Sequence, residues 1–521
     1  MPSPVRSVAA LLIAALLLPC MPRPVHAAYH ALESIPVESP VYRMVEDLAA
    51  SYGFGSAFLH TQPWDRADLG RFLDELALNR PGASDDPLVV RLRRELESGS
   101  GPGAWDALVR AEDDRSSIEL SPYARANYSE DRARREIVRD FRAGVQASVA
   151  FGEGLLGWAD FYSGTTSAGA HGNPADSRHF GLIEGVQLNS YFDRATLTWR
   201  GRWGRLQAGH TWLRWGPGAW GTMAQSDGAP AFDVIEARVP LPGRMQLEWF
   251  VASLDPVTQS YLAGHRLELR PTGSLDISLS ELARFDGNGS APQYLLPLVP
   301  YSLIEKRLLK SGYSWADSTD RWAKNNVMWA ADVAWRWRPG VRLYGEVAVD
   351  DISFSSEKRP RALAWQLGVD ARRVRGGRAW TARAEYARVY QFTYSVFHAH
   401  DFSFAGYPTG FELGPDVDRA NARLEYRTGP EWAFGAEGSY RRKGEGRLGQ
   451  YYVPGSGNPD NMVLTGVLDV DARAALTADW SPAPGLSAGL TAGWAQVTAL
   501  RHQSGADESG PWGATRLTLR W

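Results

Sequence analysis

From residue 327 to residue 337 apolar and polar side chains trade places one for one. Val327, Trp329, Ala331, Val333, Trp335 and Trp337 fall on one side, and Asp332 and Arg336 fall on the other. A strand has a side-chain period of two, so this stretch is a ribbon with one oily and one charged face. The pattern returns over residues 341–349, 363–371, 422–427, 468–480 and 517–521. Ribbons of about ten residues with aromatics at their ends, repeated this often, are the sequence signature of a transmembrane β-barrel.

Composition supports that reading where it bears on it. The chain has 521 residues with 52 Gly, 21 Trp and 20 Tyr, which suits many turns and two aromatic girdles. The net charge of −3 gives no electrostatic case for nucleic acid. No apolar run after residue 30 is long enough for a spanning helix, which excludes a multi-helix inner-membrane protein but not a barrel. Residues 1–27 read as a secretory signal: Arg6 is the positive start, residues 8–18 the apolar core, and Val25-His26-Ala27 the cleavage region. The single cysteine, Cys20, leaves with that signal. A lipoprotein reading at Cys20 competes, weakened by Pro19 before it.

Residues 28–115 have a different pattern. Val41, Met44, Val45 and Leu48 lie at helical spacing after Pro40. Leu69, Phe72, Leu73 and Leu76 follow Pro63-Trp64-Asp65, and Leu88, Leu92 and Leu96 follow Pro87. These predict a small helical bundle before the barrel, which spans 116–521. Bacterial barrels have short periplasmic turns, long outer loops and both chain ends inside. Reading backwards from an inward final strand, tight turns near 481–485, 428–430, 375–378, 339–340, 271–274, 240–243, 201–204 and 152–154 alternate with longer loops. The longest of those loops are 445–465, 393–417, 285–326, 214–230 and 164–181. This gives about eighteen antiparallel strands. Residues 182–200 are too long for one regular strand and slip phase near Asp193-Arg194. They predict a bulge, with a hairpin as the alternative that would change the count.

The inward face carries both signs: Glu346 and Asp350, Asp370 and Arg372, Arg423, Glu425 and Arg427, Asp469, Asp471 and Arg473, Arg516 and Arg520. Such charges must pair across strands or stay wet. The long 285–326 loop, with its apolar-basic run at 301–309, is expected to form a helix or pack as a lid, giving a closed or nearly closed lumen. His398-Ala399-His400-Asp401 is a faint metal pattern without a third cluster, so neither a metal nor a cofactor is expected. No nucleophile elbow, Ser/His/Asp set or acid–base carboxylate pair stands out, which argues against an enzyme.

The outer loops are rich in rings. Trp215 and Trp220 share one loop, Tyr313, Trp315 and Trp322 a second, Phe397, Phe402, Phe404, Tyr407 and Phe411 a third, and Tyr451-Tyr452 a fourth. An aromatic face suits the C–H face of a sugar, and nearby Arg214, Lys306, Arg307, Lys310 and Lys324 could meet acidic sugars. The competing role for each ring is girdle or loop packing. Arg214, Trp215 and Trp220 are the first expected contact cluster. Their rival role is shaping the loop, since Gly216-Pro217-Gly218 forms a rigid turn.

The stretch Gly209-His210-Thr211-Trp212-Leu213-Arg214-Trp215-Gly216-Pro217-Gly218, followed by Ser226 and Asp233, resembles the capsule assembly Wzi family. The helix start at Ser39-Pro40-Val41-Tyr42 also fits. The resemblance implies an occluded eighteen-stranded outer-membrane barrel with a periplasmic helical bundle. It also implies a lectin that helps hold capsular or exopolysaccharide at the cell surface. The expected partners are that polysaccharide, outer-membrane lipids and the polysaccharide export machinery. The expected contact residues are Arg214, Trp215, Trp220, Tyr313, Trp315, Trp322, Tyr407, Tyr451 and Tyr452. The alternatives are a porin for small solutes or oligosaccharides and an outer-membrane enzyme acting on lipid or glycan.

Overall fold

The computed structural model describes residues 30–97, 109–113, 115–167, 189–255, 257–286, 291–304, 325–351, 360–395, 400–450, 452 and 463–520. Among these, eighteen antiparallel strands close into a barrel. In chain order they are β1 Ser116–Asp131, β2 Glu136–Phe151, β3 Leu155–Ser167, β4 Asn189–Gly201, β5 Gly204–Thr211 and β6 Phe232–Leu241. Next come β7 Met245–Asp255, β8 Ser260–Thr272, β9 Leu275–Asp286, β10 Asn325–Arg338, β11 Val341–Asp351 and β12 Ala362–Arg375. The last six are β13 Arg378–Val389, β14 Val417–Arg427, β15 Trp432–Lys443, β16 Asp469–Ala483, β17 Leu486–Thr498 and β18 Glu508–Arg520. Each strand pairs with its sequence neighbours, and β18 closes on β1 from Trp512↔Asp131 to Arg520↔Tyr123. Beyond that end of the seam, Val109–Glu112 continues the pairing along Ser117–Leu120.

The predicted alternation of tight turns and long loops holds between the described strands of the barrel. Gly340 shows why glycine marks the tight end: its φ of 82 turns the chain, and its N–H donates to the Ala50 carbonyl at 2.9 Å. Residues 189–201 form one strand, not a hairpin. Phe161 faces Phe192 while Asp160 faces Arg194, so Asp193 is the extra residue of the expected bulge. Residues 182–188 lie outside the described residues.

The wall reads as the period-two pattern requires. On β10, Trp329, Val333, Trp335 and Trp337 are exposed, while Met328, Ala330, Asp332 and Ala334 are buried. Exposed apolar residues on other strands, such as Leu206, Ile235, Leu279 and Leu367, extend this into a band. Such a band is stable against hydrocarbon and costly against water.

The N-terminal helices lie inside the ring at the tight-turn end. They are α1 Pro40–Tyr52, α2 Arg66–Asn79 and α3 Pro87–Glu97. Ser39 caps α1 by accepting from the Val41 N–H, and Asp65 and Asp68 form a capping box on α2. Pro87 opens α3, where Asp86 accepts from the Leu88 N–H at 2.9 Å. Their apolar faces share one core, through Leu48, Phe54, Leu69, Phe72, Leu73 and Leu92. That core runs on into Ala334 and Tyr344 of the wall. The Phe54 N–H donates to the Gly273 carbonyl in the β8–β9 turn, which fixes the bundle against the tight end.

Wall charges hold the bundle. Arg372 makes a double contact with Asp86 at 2.7 and 2.8 Å. Arg342 and Arg383 share Asp370 at 2.7 and 2.5 Å, and Arg383 reaches Asp47 on α1 at 3.0 Å. Arg520, at the last strand's end, meets Glu33 at 2.8 Å. The expected pairing of inward charges is therefore met partly across strands, as in Arg423–Glu437 and Arg342–Asp370, partly along one strand, as in Arg423–Glu425 and Arg473–Asp471, and partly through the bundle.

Two of these carboxyls titrate in opposite directions. Burial works against the Glu33 charge, but Arg66, Arg520 and Arg194 outweigh it and hold its pKa below the ordinary range. Burial dominates at Asp47 and pushes it up to about 6, with Asp370 and Glu425 adding to the effect and Arg383 and Arg372 only partly offsetting it. A raised folded pKa gives stability that is complete below the ordinary carboxylate value and fades as pH rises through about 6. Asp47→Asn should therefore gain on the wild type as pH goes from 5 to 8, by on the order of 1–1.5 kcal/mol, the part of the shift that falls in that window. Melting curves of the pair at the two pH values check this. An unchanged gap would mean that Asp47 stays ionised throughout.

Candidate functional site

A loop that enters a barrel carries backbone donors away from water, and each needs a partner. The chain after β5 is such a loop. Residues 212–231 turn inward and down the lumen, where Arg214-Trp215 pairs antiparallel with Thr61-Gln62 of the N-terminal bundle. The Gly216 N–H donates to the His60 carbonyl at 2.9 Å. Two wall carboxylates catch four more. Glu385 accepts from the N–H groups of Ala219 and Trp220 at 2.6 and 3.3 Å. Glu346 accepts from those of Met223 and Ala224 at 2.8 and 3.1 Å. Gln366 donates to the Gly221 carbonyl at 3.2 Å. A side chain at Gly216 or Gly218 would collide with Glu346 or Gln366, so the glycines of this turn are what let it pass between the wall groups.

Trp215 is wholly buried. Its ring packs edge-on against Phe250 at 5.0 Å, and its Nε1 donates to Glu248 at 2.7 Å. As placed, no face of that ring is open to a sugar. Arg214 is half-buried, donating to the Gly218 carbonyl and lying 3.5 Å from Asp227. Trp220 packs on the bundle core, and Arg419 donates to its carbonyl. The expected contact cluster is thus a lumen plug, and the rival role, shaping the loop, is the one these contacts support.

Two further loops stack above it. Residues 390–395 and 400–416 lie on the plug: Tyr394 Oη donates to the Met223 carbonyl at 2.6 Å and accepts from the Phe411 N–H at 3.0 Å. The Ser226 N–H donates to the Thr409 carbonyl at 2.7 Å. Phe402, Phe404 and Phe411 are buried in the core with Phe232 and Phe250, so they bind loop to loop. Burial pushes the Tyr394 phenol well up, with Glu346 and Asp350 adding to it, and keeps it a neutral donor. Residues 444–450 and 463–467 cover the second loop through Asp416, which accepts from the Gly446 N–H at 2.9 Å and the Thr465 hydroxyl at 2.6 Å.

Of the expected contact rings, Tyr407 and Tyr452 are half-buried in these upper layers, Tyr452 edge-on to Phe392 at 5.9 Å. Tyr313, Trp315, Trp322 and Tyr451 lie outside the described residues, as do His398 and residues 305–324. The described part of the expected lid, residues 291–304, does not cover the lumen; it packs on the outside of the wall. Closure comes instead from the 212–231 loop and the helical bundle. The strand pattern did not identify Glu346 and Glu385 as loop anchors, because inward carboxylates look alike whatever they bind.

One buried group among the described residues has metal-ligand chemistry: His60, Glu268 and Asp276, whose ligand atoms lie within 4.8 Å of one another. Arg270 contacts Asp276 at 2.9 Å, Arg266 lies 3.9 Å from Glu268, and Arg342 is 3.5 Å from His60 Nε2. Guanidiniums already supply the counter-charge, so the group joins the lattice between bundle and wall.

Comparison with known proteins bears on this arrangement. The family model described as capsule assembly protein Wzi matches residues 123–509. No sequence match among curated proteins was found. A solved structure described as Wzi, an outer-membrane protein involved in group 1 capsule assembly in Escherichia coli and a carbohydrate-binding β-barrel, superposes with a TM-score of 0.60 at 14% identity. The match covers 94% of this chain and 99% of that one. The Pseudomonas aeruginosa proteins OccD3 (OpdP) and OccD1 (OprD) superpose at TM-scores of 0.44 and 0.42 with 12% and 13% identity. They cover 80% of this chain each, and 93% and 97% of their own lengths.

Proposed function

Because the chain belongs to the capsule assembly protein Wzi family, we propose that it binds surface polysaccharide through its outer loops and helps hold capsular or exopolysaccharide on the cell. The observation that carries this reading is the lumen filled from both ends, by residues 212–231 on one side and the helical bundle on the other. A porin needs an open path; a binder needs a rigid platform, and three loops stacked on buried carboxylates provide one. Residues 1–27 act as the signal, and the barrel sits in the outer membrane with its tight turns inward. The bundle, held at the tight-turn end, faces the periplasm. It is there that export machinery would be met. No catalytic role is assigned.

Contact with a polymer uses many weak sites, so avidity outweighs any single ring. Tyr407 and Tyr452 are the described rings in the upper layers from the expected set. Tyr407→Ala with Tyr452→Ala should weaken retention by about 1 kcal/mol per ring, roughly fivefold each. The decisive experiment is gene deletion followed by complementation. Deletion should move polysaccharide from the cell to the medium, the wild-type gene should restore it, and the double variant should restore it in part. Normal cell-bound polysaccharide with none shed would overturn the proposal.

A further inference from the structure

The segment between β9 and β10 has an unusual chemistry for this chain. Residues 291–304, Ala-Pro-Gln-Tyr-Leu-Leu-Pro-Leu-Val-Pro-Tyr-Ser-Leu-Ile, contain no charged side chain, although 22% of the whole sequence is charged. The segment lies on the outer face of the wall. Beneath it are Ala263 and Ala283, small outward residues of β8 and β9 that leave room for it, and Val327 of β10. Its rings continue those of the wall: Tyr294 stacks on Phe285 at 4.3 Å, and Phe285 on Tyr261 at 5.6 Å.

The seat is specific. Glu281 sits at an outward position of β9, where a carboxylate would otherwise face hydrocarbon. The segment buries it. The N–H groups of Tyr301 and Ser302 each donate to Glu281 at 2.7 Å, and His265 of β8 lies at 3.1 Å. Two and four residues nearer the tight end of the same strand, Leu279 and Ile277 are exposed members of the lipid-facing band. The segment therefore replaces the band over the upper part of these strands and presents a new surface. Leu295, Leu296, Leu298 and Leu303 are 46%, 53%, 80% and 58% exposed.

We propose that residues 291–304 are an outer-leaflet anchor, a strap that inserts these four leucines among lipid acyl chains. The occupant follows from continuity: the leucines extend a surface already in lipid, and no charge on the strap opposes insertion. Seating the strap on the wall would set the depth at which the outer loops stand above the membrane.

A nitroxide at position 298 tests this. Leu298→Cys is made in a Cys20→Ser background, labelled, and the full chain is reconstituted in dioleoylphosphatidylcholine vesicles. Reference labels at Leu490→Cys on the lipid-facing wall and Ser504→Cys in an exposed loop mark the two extremes. Collisions with oxygen should exceed those with a nickel chelate, as at position 490. Nickel access like that at position 504 would overturn the proposal. So would shielding from both reagents, which would mean that protein covers the face. Adding Glu281→Ala should raise nickel access at position 298; an unchanged value would show that the carboxylate does not seat the strap.

Discussion

Gly218→Val should raise conductance across a planar bilayer, from no steady current expected of the wild type to discrete steps. A valine Cβ at this position would overlap the Gly221 carbonyl and the Gln366 amide, both part of the plug's seat. Neither can withdraw cheaply: Gln366 is held by Glu346 at 2.7 Å and Gly221 by Gln366 itself. Lifting the loop would leave Glu346 and Glu385 without the four backbone donors that satisfy them. A buried polar group without a partner costs about 1–3 kcal/mol. The wall's own ladder does not depend on the loop, so the far-ultraviolet β signal should persist. Ions would then pass beside the bundle, where the inward side chains of Arg423, Glu437 and Asp479 are already part-wetted. Currents as low as the wild type's would show that the bundle alone closes the lumen.

The second large effect is expected from Arg372→Ala. Arg372 and Asp86 are fully enclosed and meet through both guanidinium nitrogens. Removing one partner of a buried pair leaves a desolvated charge and costs about 3–5 kcal/mol. Asp86 also caps α3 and accepts from Tyr52, so the loss would spread to the packing of α1 against α3. The barrel should stay folded while the bundle loosens. Limited proteolysis in detergent should then cut within residues 30–97 much faster than in the wild type. Arg372→Lys should restore only part of the protection, because an ammonium cannot reproduce the fork. Equal cleavage rates in all three proteins would show that the bundle's apolar core holds it without this pair.

What could be read from the sequence was what the wall dictates. Period two placed the strands, the rhythm of turns separated the tight end of the barrel from the long-loop end, and a phase slip located the bulge at Asp193. Helical spacing placed α1, α2 and α3 within a few residues of their ends. The fate of each long loop was not readable. Trp215 has the look of a surface ring because its partners, Glu248 and Phe250, are on another strand, and the carboxylates that seat its loop lie well over a hundred residues away. An uncharged run such as 291–304 fits a lid over the lumen or a strap on the wall equally well. Only the outward position of Glu281 decides between them, and strand parity near a long loop is where sequence patterns are weakest. Which rings would meet a sugar was the least legible, since ring content alone does not separate an exposed face from loop-to-loop packing.

The short ladder of Thr61-Gln62 with Arg214-Trp215 joins a piece that enters from one end of the cylinder to a piece that enters from the other. A polymer tugging on the outer loops would pass its pull through Asp416 and Tyr394 into the plug, and from there along that ladder in shear. Force applied at the long-loop end would thus reach the tight-turn end with no moving gate, making the molecule a strut as well as a seal.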